Sequence, residues 1–195
     1  MRSVVMPLTL VVLALPTIAL AQSRGPTDKG SMLVAGTANI ARSTTEVGDN
    51  ESTSTGVSFN PSLLFFVAPR IAIGGQLGLS RINFDGGDGS SWLLGPAARF
   101  YFARGAARTL PFVGAGISFG GSSSTNDITD TTVESDVWSL EGVAGLTWMV
   151  SRQVGITGEA FLQRSESENT GAIGTLEQTR TDMGVRFGFA AFLFR

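Results

Sequence analysis

Four ionised side chains stand out on strand faces otherwise made of small, uncharged residues: Arg99, Glu141, Glu159 and Arg186. Two cations and two anions cancel, and charges withdrawn from water persist only when paired. The chain has no histidine and no cysteine. The usual general base, the usual transition-metal ligand and the thiolate nucleophile are therefore all missing. A serine hydroxyl beside a carboxylate lacks the proton acceptor that makes it nucleophilic. No catalytic, cofactor-binding or metal-ligating set emerges, and the expectation is a protein that is not an enzyme and needs no cofactor. Asp85-Gly86-Gly87-Asp88-Gly89 and Asp127-Ile128-Thr129-Asp130 lack the ligand spacing of a calcium loop. The glycine-rich runs lead into no strand-to-helix pattern, so they are not nucleotide loops. A second set, Arg42, Arg81, Arg164 and Arg180, sits where strand-like segments meet long polar ones. Guanidinium forks there suit phosphates, or their stems simply snorkel along an apolar wall.

The elements that hold these residues read from the leader onward. Residues 1–21 form an export signal: Arg2 opens it, Val4 to Leu20 is a nearly unbroken apolar run, and Ala19-Leu20-Ala21 supplies the small residues a signal peptidase needs. Residues 22–30 are a short polar lead-in, and 31–195 form one domain. That domain divides into eight segments with period-two alternation, the mark of half-buried strands. Val57, Phe59, Leu63, Phe65 and Val67 alternate with Ser58, Asn60 and Ser62; Trp92, Leu94, Ala98, Phe100 and Phe102 alternate with Gly95, Arg99 and Tyr101. The first strand is less decided, because Leu33 and Ala35 compete with Met32, Val34, Ala38 and Ile40. The last blurs at Ala190-Ala191, which suggests a bulge. Four long polar loops are expected at 42–56, 83–90, 121–136 and 164–180, and three short turns at 68–70, 103–110 and 151–153. Twelve of the sixteen acidic residues fall in the long segments, whereas the turns carry only arginines. With a net charge of −2 and no basic stripe, nucleic acid is excluded as a partner.

Alternation does not say which face looks inward, since soluble and membrane barrels share it. Three features favour the membrane. The non-apolar faces are dominated by Gly, Ala, Ser and Thr, which fit the narrow interior of an eight-stranded barrel. The few charges there balance. Trp92 and Trp138 lie near the long segments, and Phe102 and Trp148 near the short turns, as two interfacial girdles would. The fold expected is all-β: a closed eight-stranded antiparallel up-and-down transmembrane barrel, with strands of about ten residues. The alternatives are a narrow porin-like channel and a secreted soluble barrel that turns its apolar face inward around a lipophilic ligand.

The segment Phe59-Asn60-Pro61-Ser62-Leu63-Leu64-Phe65-Phe66-Val67-Ala68-Pro69-Arg70-Ile71-Ala72-Ile73-Gly74-Gly75 resembles a hairpin of small outer-membrane barrels. Leu94 to Phe102, followed by Leu110 to Gly116, resembles the next one. The likeness covers nearly the whole mature chain and is to the outer-membrane β-barrel superfamily of OmpA/OmpX-like architecture. It implies long loops outside the cell and short turns in the periplasm. The expectation is a bacterial outer-membrane monomer with a structural or surface-interaction role through the acidic loops 42–56, 121–136 and 164–180. Its expected partners are outer-membrane lipid, lipopolysaccharide at Arg42, Arg81, Arg164 and Arg180, and the barrel assembly machinery. Family members often end in Phe; here Phe194 is followed by Arg195.

Overall fold

The computed structural model describes residues 25–47, 50–84, 86–103, 107–126, 131–171 and 174–194, with side chains described outside 41–53, 126 and 168–178. The expected leader, 1–21, lies outside the described residues. Eight strands follow one another: β1 (Met32–Val47), β2 (Asn50–Ala68), β3 (Ile71–Phe84), β4 (Gly87–Tyr101), β5 (Thr109–Asn126), β6 (Thr131–Met149), β7 (Val154–Gly171) and β8 (Gly174–Leu193). Each pairs antiparallel with the next and β1 pairs with β8, which closes the barrel. Cross-strand neighbours followed round the wall from Met32 pass through Phe65, Ile73, Ala98, Ala115, Gly142, Leu162 and Met183. The β1–β8 register, continued past its last pair, brings this path back to the level of Arg42, ten residues along β1. That stagger tilts the strands by about 40° and leaves a bore that side chains nearly fill.

The alternation expected of β2 and β4 is the one observed. Phe65, Ile73 and Leu146 point outward and are 51%, 47% and 45% exposed. Apolar side chains therefore clothe the outside, and the soluble barrel with an inward greasy face is overturned. Trp92 and Trp138 ring the end with the long hairpins, and Phe102 and Trp148 the end with the short turns. Backbone groups are paired around the wall, as a sheet in hydrocarbon requires, except along part of the β1–β8 seam.

Two expectations are corrected. The polar segments at 42–56, 83–90, 121–136 and 164–180 are mostly strand, not loop: the strands run to between 14 and 20 residues, and β5 and β6 stay paired out to Asn126 and Thr131. Serine and threonine hydroxyls pair across the ladders there, Ser80 with Ser91 at 2.8 Å and Thr125 with Thr132 at 3.2 Å. Threonine suits an extended backbone as well as it suits water. The bulge expected at Ala190-Ala191 is absent. Ala190 is buried, Ala191 pairs in register with both Val34 and Val154, and the irregularity lies in β2 between Phe66 and Ala68. The polar lead-in is built into the fold. The Gly30 N–H donates to the Phe66 carbonyl (2.8 Å) and the Arg70 N–H to the Thr27 carbonyl (2.8 Å), so this segment lies against the turn end with Thr27 and Ser31 buried.

One seam differs from the rest. β1 and β8 pair only from Met32–Leu193 to Ala38–Phe187, while β1 continues along β2 to Val47 and β8 along β7 to Gly174. Ile40 and Met183 flank the unpaired stretch and are 76% and 79% exposed.

Candidate functional site

The lumen is filled in two tiers. The lower tier, at the turn end, is apolar: Leu33, Leu64, Phe66, Tyr101, Leu110, Phe112 and Phe192 are buried there. The Tyr101 ring is its hub, 5.6 Å from Phe66, 5.4 Å from Phe112 and 6.0 Å from Phe192 between centroids. The alternation of β1 is settled by this tier, since Leu33 and Ala35 turn inward to join it. Phe194 packs against it from the C-terminal end.

The upper tier is ionic. Glu159 on β7 and Arg186 on β8 are direct cross-strand partners, and Arg186 Nε donates to Glu159 Oε1 at 2.6 Å. The two terminal nitrogens of Arg186 reach Glu141 of β6 as a fork, Nη1 to Oε2 and Nη2 to Oε1, both at 2.8 Å. Arg99 on β4 approaches from the opposite wall and places Nη2 3.3 Å from Glu159 Oε2. All four are buried, and Glu159 is only 2% exposed. The structure thus brings the four charged residues singled out above into one network. Two rings hold the cations from the sides: Arg99 lies 4.8 Å from the Phe112 centroid and Arg186 4.9 Å from that of Phe161. Above the network, Gln76 Nε2 donates to Ser118 Oγ at 3.2 Å.

Glycine makes the space. A Cβ on Gly145 would stand 2.6 Å from Phe112 Cζ and 2.7 Å from Glu159 Cβ, so only glycine fits beneath the carboxylate. Arg186 uses all its nitrogens. Arg99 Nη1 and Tyr101 Oη are buried without a hydrogen-bond partner among the described residues. Glu159 Oε2 likewise lacks a hydrogen bond among them, with Arg99 Nη2 3.3 Å away; each carboxylate is paired with at least one arginine.

The rim arginines separate. Arg81 and Arg164 lie on the outward alternation, each beside an acid: Arg81 Nη2 is 3.2 Å from Asp88 and Arg164 Nη2 is 3.0 Å from Glu166. Arg180 shares the alternation of Asp182, Gly184 and Arg186, the lumen side, and pairs with Asp182 at 2.8 Å. Arg42 is in β1 opposite Thr55, and its side chain is outside those described. The inner aromatic tier escaped sequence reasoning. Its signal was present in Leu63-Leu64-Phe65-Phe66 and Phe100-Tyr101-Phe102, where successive residues are all apolar and both faces must therefore be.

No family model and no characterised relative matches the sequence. Solved structures do. The outer membrane protein OprG of Pseudomonas aeruginosa is similar at a TM-score of 0.56 and 11% identity, over 88% of this chain and 100% of that one. Outer membrane protein W of E. coli gives 0.52 at 16% identity, over 86% and 99%. The outer membrane protein AlkL in lipid bilayers gives 0.50 at 14% identity, over 91% and 94%. At such identities the likeness establishes the fold, that of small eight-stranded outer-membrane barrels.

Proposed function

We propose that the chain is an integral protein of the bacterial outer membrane, without enzymatic activity, whose barrel is a sealed anchor for a surface-interaction role. The observation that carries this reading is the double closure of the lumen: the ion network of Arg99, Glu141, Glu159 and Arg186 lies directly on the aromatic tier around Tyr101. An eight-stranded bore so filled leaves no continuous water path. The greasy outer wall supports membrane residence, and the fork-held carboxylates support the absence of catalysis. The paired hairpin extensions are the part free to meet a partner. They carry a hollow of about 490 Å³ lined by Ser90, Trp92, Glu134 and Asp136. Arg42, Arg81, Arg164 and Arg180 at the hairpin end are our candidates for meeting lipopolysaccharide phosphates, and insertion would pass through the barrel assembly machinery.

The test is electrical. The purified barrel in a planar bilayer should give no steady conductance, and reproducible openings would favour the narrow channel instead. Fractionation is the companion measurement, because recovery without detergent would sink the membrane reading.

A further inference from the structure

We infer that the outer wall of β3, β4 and β5 holds a binding site for one anionic glycerophospholipid, with its phosphate at Arg70 and an acyl chain in an adjoining recess; this rests on the membrane reading above. The outward belt is built mostly of large side chains, and small ones interrupt it in several places, Gly36 beside Pro61 and Ala144 beside Ala160 among them. At the level of Ile73 the cross-strand neighbours are Ala98, Ala115 and Gly142, small residues in a row. Below them Ile71, Phe100 and Val113, themselves neighbours at one level, form the lower wall. Ile71, Ala98, Phe100, Val113 and Ala115 line a shallow, largely apolar recess of about 380 Å³, to which Arg99 and Gly114 also contribute. A Cβ on Gly142 would meet nothing within 4 Å, so the wall is open there too. In lipid such a hollow is filled by hydrocarbon, since an unfilled one forfeits dispersion contacts.

The lower wall also carries the charge. The Arg70 guanidinium carbon lies 5.3 Å from the centroid of the Phe100 ring. Phe102 meets that ring edge-on at 5.2 Å, which places the arginine at the aromatic girdle, where hydrocarbon gives way to head groups. Arg70 has no ion-pair partner among the described residues, and its Nε is buried without a hydrogen bond. A planar fork at that depth matches a phosphodiester. Lys29 and Arg108 stand at the same end, where Asp28 is the only described acid. Their field favours a head group with net negative charge over a zwitterion carrying its own ammonium. Arg70 thus supplies the polar half of the site and the Ala98–Ala115 recess the apolar half, with Phe100 common to both.

The experiment is native mass spectrometry of the folded protein released from detergent micelles, with phosphatidylglycerol or phosphatidylcholine of identical acyl chains added. The wild type should retain phosphatidylglycerol about tenfold better. Arg70→Gln should lower that retention about fivefold and lower that of phosphatidylcholine less, since its ammonium already offsets its phosphate. Ala98→Leu, which fills the recess from the lipid side, should lower both lipids together. Arg152→Gln, a same-end control away from the recess, should behave as wild type. Folding of each variant is read independently from heat-modifiable migration in gels. Equal retention of the two lipids by the wild type, an unaffected Arg70→Gln, an equal loss in Arg152→Gln, or displacement by equimolar lipopolysaccharide would overturn the site. A protein that requires detergent yet shows no lipid preference refutes only this inference; one that purifies without detergent refutes the membrane reading as well.

Discussion

At the scale of single residues the lumen makes sharp distinctions between similar side chains. Arg186 is held by three hydrogen bonds to two carboxylates, whereas Arg99 meets one carboxylate oxygen at 3.3 Å. Removing Arg186 strands two buried anions, and Arg186→Met should cost about 3–5 kcal/mol. Arg99→Ala should cost less than that, and Arg81→Ala, on an exposed pair, below about 1 kcal/mol. Urea unfolding in micelles, followed by Trp emission, checks the order Arg186, Arg99, Arg81; equal losses would deny the network its role. Glycines divide in the same manner. Gly145→Ala drives a methyl into Phe112 and Glu159 and should cost about 1–3 kcal/mol, while Gly142→Ala points into open space and should be near neutral. That the four charges would meet was legible, because they were balanced and sat on small-residue faces. Which nitrogen meets which oxygen was not, since that depends on the register of four strands at once.

At the scale of elements, alternation was readable wherever one face was apolar and the other small. It failed in two places for opposite reasons. In β2 and β4 the turn-end residues are apolar on both faces, so the period-two signal cancels and the inner tier around Tyr101 stays hidden. In the hairpin extensions both faces are polar, so the strands read as loops although their ladders persist to Asn126 and Thr131. Hydrogen exchange should report the uneven ladders. Amides of β1 between Leu33 and Thr37, paired on both sides, should be protected far longer than those of Asn39 to Val47 that would face β8, where pairing has stopped. Uniform protection along β1 would mean that the seam is zipped throughout.

At the scale of the whole molecule the two ends differ in length, sign and closure. The turn end is short, basic and stopped by aromatics and by the lead-in; the hairpin end is long, acidic and built of paired polar strands. The orientation proposed for it is directly measurable, because the chain carries no cysteine of its own. A membrane-impermeant maleimide should label Thr132→Cys on intact cells and Ser151→Cys only after permeabilisation; the reverse pattern would invert the molecule in its membrane. The seam between β1 and β8 carries a consequence in time. It joins positions roughly 150 residues apart through seven pairs, so almost the entire chain must be in place before it can form. Closure of the wall is then the late, slow event of biogenesis. Substitutions confined to Met32–Ala38 or Phe187–Leu193 should delay the appearance of the compact species far more than those between β3 and β6.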